Sequence, residues 1–214
     1  MAHTLRDLLI QRAARLQERP ALATPDWGTL SYAQLRNRVE GVALGLLAGP
    51  GDPPPSLFAV TGTPWDWAAE VAVAAAGLAW EPAGWSIPAE VLGGPRFNAE
   101  EGRGPYHDRE RVVLEATPFH AGLTHAEVLQ RLARLNHRLG WDHETVVTLP
   151  LDRLEAPAVR AALWSALYAG SHAVLESEAP APRGGLLGRF RRSPDPAWDP
   201  APFSGFWDRG AGTK

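Results

Sequence analysis

The sequence predicts an α/β fold, a three-layer arrangement in which helices flank a largely parallel sheet, and three observations carry that expectation. Short apolar, β-branched runs recur at 56–60, 111–115, 145–149 and 172–176. Segments with helical apolar periodicity separate them. The connections carry helix-capping and turn residues where an alternating strand–helix chain needs them.

The elements follow in order. Leu5, Leu8, Leu9, Ala13 and Leu16 share one helical face between Thr4 and Arg19. Thr4 suits the N-cap, Asp7 the positive first turn, and Pro20 closes the helix. Ala21–Thr24 is a short apolar stretch, and Pro25-Asp26-Trp27-Gly28 reads as a turn. Thr29 and Leu30 are then extended. Ser31 with Gln34 forms a capping box, and Leu35, Val39, Val42 and Leu46 make a buried helical face. After a Gly/Pro break over 49–55, Ser56–Val60 is a strand of the kind buried in a parallel sheet. Thr63-Pro64 starts a third helix that runs to Ala76, with Gly77 as its stop. Leu78–Glu81 is a further short strand. Residues 82–110 dissolve into an irregular loop. Arg111–Glu115 is a strand, Thr124 and Glu127 form a second capping box, and Val128, Leu132, Leu135 and Leu139 face one way from there to Gly140. Thr145–Leu149, a helix over Ala156–Ala169 and a strand at His172–Glu176 complete the unit. The expected organisation is a domain over 1–176 and a tail over 177–214.

Composition bounds the function. Hydrophobic residues make up 45% of the 214 residues and charged residues 21%, enough for a true core. A net charge of −3 gives no footprint for nucleic acid. The absence of cysteine excludes disulfides, thiolate metal sites and a cysteine nucleophile. No signal-peptide pattern opens the chain and no apolar run is long enough to span a bilayer, so the expected location is the cytoplasm. The sole lysine is Lys214, so any chemistry needing a positioned lysine in this chain rests on that residue. The seven histidines show no H-x-x-x-H or H-E-x-x-H spacing, and no metal centre or cofactor is expected. Gly-x-Ser-x-Gly is absent, which leaves serine hydrolysis without support. The tail holds six prolines, six glycines, the patch Arg189-Phe190-Arg191-Arg192 and late aromatics Trp198, Phe203, Phe206 and Trp207. Those aromatics suit packing back on the domain, a partner or a membrane surface.

The chain also carries motifs in a familiar order. Pro20-Ala21-Leu22-Ala23 precedes Thr29-Leu30-Ser31-Tyr32-Ala33-Gln34-Leu35, and Gly49-Pro50-Gly51-Asp52 follows the helix. Ala76-Gly77-Leu78-Ala79 leads to Pro82. Gly122-Leu123-Thr124-His125, Thr148-Leu149-Pro150-Leu151 and Ala169-Gly170-Ser171 through Leu175 come later. This succession resembles the opening third of the AMP-forming adenylation superfamily, which includes the acyl-CoA synthetases. The resemblance implies that family's N-terminal α/β subdomain. It also makes Thr124, His125 and Arg153 an inherited polar pocket, with Arg153 standing where the family has a histidine.

The departures from the family pattern are as informative. Before its Thr-His pair the family places a Ser/Thr/Gly-rich loop ending in Pro-Lys-Gly, which grips ATP phosphates. Here the corresponding residues are Val112–His120, without glycine, with Phe119 at the lysine position and Glu115 set to repel phosphate. A tight turn is expected instead. The later ATP-binding motifs and the C-terminal domain with its catalytic lysine have no counterpart. Losing one charge-stabilising group costs on the order of 10² or more in rate. The expectation is therefore a non-catalytic relative with no catalytic residues, acting as a binding or interaction module with a protein partner or a second copy. A split ligase completed by a partner chain and an acyl or nucleotide carrier are the alternatives. His125 is otherwise expected exposed or capping in its helix's first turn. Thr61, Gly62 and Thr63 form a strand-to-helix turn where an anion can meet backbone N–H groups, or simply a capped helix start.

Overall fold

The computed structural model describes residues 2–48, 57–58, 63–82, 115–177 and 198–209. Helix α1 (Leu5–Leu16) starts with a reciprocal capping box: Asp7 N–H donates to Thr4 Oγ1 at 3.0 Å and Thr4 N–H to Asp7 Oδ2 at 3.2 Å. Strands β1 (Pro20–Thr24) and β2 (Gly28–Ser31) form an antiparallel hairpin. Helix α2 (Tyr32–Ala48) opens at the Ser31–Gln34 box, with bonds of 2.9 and 3.3 Å. The short strands β3 (Leu57–Phe58) and β4 (Glu81–Pro82) pair in parallel around α3 (Pro64–Ala76), which stops at Gly77. Strands β5 (Pro118–His120) and β6 (Leu123–Thr124) make a second hairpin. Then come α4 (His125–Leu139), β7 (Val146–Pro150), a 3-10 turn at Leu151–Arg153, α5 (Pro157–Ala169) and β8 (His172–Glu176).

The main sheet has the order β2-β1-β8-β7. β1–β8 and β7–β8 are parallel, and only the β1–β2 hairpin runs antiparallel. The architecture is a mostly parallel sheet flanked by helices. β7, α5 and β8 form a βαβ unit that places β8 beside β1, so the beginning and the later part of the described chain share one sheet. Tyr32 fastens this closure: its buried hydroxyl donates to the Ser171 carbonyl at 2.6 Å, and burial raises its pKa. Helix α2 packs on α1 and α3, and α4 packs on α5.

The apolar faces meet in one core. Trp164, Tyr32, Phe119, Leu5, Leu9, Leu22, Leu132, Leu135 and Leu149 are its largest fully buried side chains. Each such aliphatic side chain contributes about 1.5–3 kcal/mol relative to exposure. Four tryptophans, at 65, 67, 80 and 85, lie close together in sequence, and of these Trp67 and Trp80 are core residues. Trp65 instead meets Trp27 edge to face at 4.8 Å, with the Arg38 guanidinium 4.4 Å from the Trp27 ring. Residues 198–209 fold back on the core, burying Phe203, Phe206 and Trp207.

Two expectations need correction. The strand expected at 111–115 lies outside the described residues except for its last member, and Glu115 and Ala116 are helical, in keeping with their high helix propensity. Of the strand expected at 78–81 only Glu81 is in a strand, β4 (Glu81–Pro82), while Trp80 N–H donates to the Phe119 carbonyl. Trp85, the 83–110 loop and the 189–192 patch lie outside the described residues.

Candidate functional site

The segment from Pro118 to Thr124 is a compact hairpin, entered from helical Glu115 and Ala116 and leading straight into α4. Ala121 and Gly122 link β5 to β6, both with positive φ (51° and 73°), the backbone of a two-residue turn whose twist matches its strands. The positive φ of Gly122 suits glycine, and the Arg209 guanidinium donates to its carbonyl at 3.3 Å.

The hairpin points a large apolar side chain inward. Phe119 is 0% exposed and meets Trp164 at 5.7 Å, His125 at 5.8 Å and Trp207 at 6.4 Å between ring centroids. Its neighbour His120 bonds the Trp80 carbonyl through Nδ1 at 2.8 Å and lies edge-on to Trp207 at 5.0 Å. Glu115 pairs with His3 at 3.2 Å. This hairpin offers no open glycine cradle for phosphate, and aromatic rings occupy the space beneath it.

The sequence-derived site residues fall in different settings. Thr124 caps α4: Glu127 N–H donates to its Oγ1 at 3.3 Å, and its own N–H donates to Glu127 Oε2 at 2.7 Å. That bond from the Thr124 backbone lowers the Glu127 pKa. His125 is 0% exposed rather than at the surface. Its Nδ1 accepts the Leu5 N–H at 3.3 Å, satisfying one of the donors that the first turn of α1 leaves without a helical partner. The neutral ring therefore carries its proton on Nε2, a buried atom with no hydrogen-bond partner among the described residues. Burial, with Arg6 adding to it and Asp7 opposing, lowers the pKa of His125 to about 4. Arg153 is exposed on the 3-10 turn after β7. Thr124 and His125 are adjacent, but His125 is enclosed in the core while Arg153 stands at the surface. Thr63 stands at the N-cap of α3 without a side-chain capping bond, while Thr61 and Gly62 lie outside the described residues. Among the described residues no three His, Asp or Glu side chains gather as a metal-ligating set.

The most polar buried assembly was not visible from motifs. Arg160 on α5 grips Glu70 on α3 with two bonds, Nε to Oε2 at 2.6 Å and Nη2 to Oε1 at 2.7 Å. Trp164 Nε1 donates to the same carboxylate at 2.8 Å. The guanidinium also lies 5.6 Å from the Trp80 ring and 5.1 Å from the Trp207 ring. Asp66, Glu155 and Leu154 help line a cavity of about 40 Å³ beside the pair, room for ordered water and little else. The available signal was one charged residue in each of two otherwise apolar helical runs, Ala68-Ala69-Glu70-Val71-Ala72 and Val159-Arg160-Ala161-Ala162-Leu163.

No protein-family model matches the chain, and no curated protein matches it in sequence. Among solved structures it is similar to the N-terminal domain of FACL13 from Mycobacterium tuberculosis, with a TM-score of 0.60 and 13% identity over 84% of this chain and 58% of that one. It is also similar to the Klebsiella oxytoca NpsA N-terminal subdomain, with a TM-score of 0.57 and 18% identity over 83% of this chain and 55% of that one. A third likeness is to a fatty acyl-adenylate ligase from L. pneumophila solved with acyl adenylate and pyrophosphate, with a TM-score of 0.57 and 14% identity over 83% of this chain and 40% of the ligase. The chain thus spans from 40% to 58% of these structures. At such identities the likeness is one of architecture, and the fold of this chain is that of the N-terminal subdomain of adenylate-forming enzymes.

Proposed function

We propose that this chain is a non-catalytic adenylation-fold protein that works by binding rather than by activating carboxylates with ATP. The observation that carries the reading is Phe119. It is fully buried in a two-residue-turn hairpin at the position where the resemblance expects a phosphate-binding lysine. Adenylation builds negative charge on phosphorus, and preorganised donors or cations must meet it. This hairpin presents an aromatic ring packed inward, with Glu115 at its base. A soluble cytoplasmic location accords with this reading, and no described helix is long and apolar enough to cross a membrane. The test is a pyrophosphate-release assay on folded protein with Mg-ATP and a panel of fatty and aryl acids. No turnover above the no-protein control is expected, and clear acyl-adenylate formation sinks the proposal.

The incomplete coverage of the solved structures favours a second reading, a subunit of a split ligase. In that case a partner chain supplies the ATP-binding and C-terminal parts. Affinity purification from the native cell should then recover such a partner, and pyrophosphate release should arise only in the complex. Recovery of the chain alone, or of partners without those parts, counts against this alternative.

A further inference from the structure

A groove of about 420 Å³ runs between α1 and α4, lined in part by Leu8, Arg12, Leu129, Ala133 and Tyr168. Its volume lies within the range of small-molecule sites, roughly 300–1,000 Å³. The shape has a sequence cause. Ala126, Leu129 and Ala133 follow one face of α4, and the two alanines leave space that larger residues would close. Leu8 and Leu129 form a buried apolar floor.

The polar groups are not spread evenly. His3 and Glu115, paired at 3.2 Å, stand near the N-terminal end of α1. Arg12 stands about 12 Å further along it at 1.5 Å of rise per residue from Thr4. The Arg12 guanidinium donates to the Tyr168 carbonyl, and its carbon lies 5.9 Å from the Tyr168 ring. Among the described residues no carboxylate pairs with it, and its Nε is buried without a partner. Burial lowers its pKa, with Arg15 acting in the same direction and Tyr32 and Tyr168 opposing. A half-buried cation without a counter-charge is costly unless an anion joins it. Gln11 and Gln130 add neutral amides to the rim.

We propose that this groove binds an amphiphilic organic anion, with its head group on Arg12 and its apolar body along Leu8 and Leu129. The groove shares Glu115 with the segment leading into the hairpin but does not include Phe119: failure of this test leaves the reading of Phe119 intact, and acyl-adenylate formation would leave the groove intact. Calorimetric titration of the full chain with octanoate should give saturable one-to-one binding. 1-Octanol, which has the body without the charge, should bind at least roughly tenfold more weakly because it lacks the charge-assisted hydrogen bond. Inorganic phosphate, which has the charge without the body, should also bind at least roughly tenfold more weakly because it buries no apolar surface. Arg12→Gln should weaken octanoate by a similar factor. Ala133→Phe, a change at an exposed helical position that fills the groove, should abolish binding while the melting temperature stays within a few degrees of wild type. The proposal is overturned if octanoate does not bind, if 1-octanol or phosphate binds equally well, or if binding survives both substitutions.

Discussion

The backbone N–H of Leu5 donates to Nδ1 of His125 at 3.3 Å, joining the first turns of two helices that are 120 residues apart in sequence. The contact requires a neutral imidazole, because protonation would put a donor where an acceptor is needed. His125 has its folded pKa lowered to about 4 from an ordinary 6.5, chiefly by burial. A depressed histidine pKa means the unfolded chain takes up the proton first. The stabilisation is fully present above about pH 6.5 and is lost as pH falls from there through 4. At 1.36 kcal/mol per pKa unit the loss is roughly 3 kcal/mol. His172, whose pKa is also lowered by burial, adds a slope of the same sign. The prediction is therefore a difference. Urea unfolding of His125→Leu should lose about 1 kcal/mol at pH 8 through the missing cap, and its stability should fall less steeply than wild type between pH 6.5 and 4. Parallel pH profiles for the two proteins would exclude this account.

The Glu70–Arg160 pair makes a second prediction, on stability. Both side chains are buried, and the carboxylate is also held by Trp164. Removing one partner strands the other charge, so Glu70→Leu or Arg160→Met alone should each cost about 3–5 kcal/mol. The double substitution should be far milder than the sum, since an apolar pair of similar volume needs no compensating charge. Chemical denaturation across the four-protein cycle measures this. Additive losses would mean that the pair is not coupled as its geometry requires.

The contrast between these contacts and the capping boxes explains what the sequence discloses. Thr4–Asp7, Ser31–Gln34 and Thr124–Glu127 each act over three residues, so both partners of the bond stand side by side in the text. The apolar periodicities of α2 and α4 are legible for the same local reason. Neither the β1–β8 pairing nor the Glu70–Arg160 bridge has a local signature, because the partners belong to distant segments that meet only in the fold. His125 shows the limit within a single helix. Its first-turn position suggests exposure, yet α1 packs over it and converts a candidate site residue into an interhelical cap. Arg153, three residues beyond β7, is exposed on a 3-10 turn whose next residue, Leu154, is buried.

Phe119 is the centre of an aromatic cluster, and its substitution should report structure rather than chemistry. Phe119→Ala leaves a cavity among Trp164, His125 and Trp207 and should cost about 3–5 kcal/mol. Phe119→Lys, which writes the family's residue into this position, should cost at least as much, because it buries an unpaired ammonium. It should also give no adenylate formation, since one lysine without the surrounding loop supplies no phosphate cradle. Thermal unfolding checks the first two expectations and pyrophosphate release the third. A stable Phe119→Lys protein would mean that the hairpin opens readily.

The segment 198–209 should prove to be part of the folded unit, and Trp207 is the residue that decides it. Its Nε1 donates to the Pro157 carbonyl at the start of α5 at 3.0 Å, while its ring meets Phe206 at 4.8 Å and His120 at 5.0 Å. Arg131 on α4 donates to the Phe206 carbonyl, so two helices and the hairpin hold one short stretch. Trp207→Ala removes the indole, its hydrogen bond and one face of the aromatic surround of Arg160. A loss of about 3–5 kcal/mol is expected, with faster amide exchange at 203–208 and at the 118–124 hairpin. Exchange that quickens only at 203–208, with global stability unchanged, would mean that this stretch rests on the surface and contributes nothing to the core.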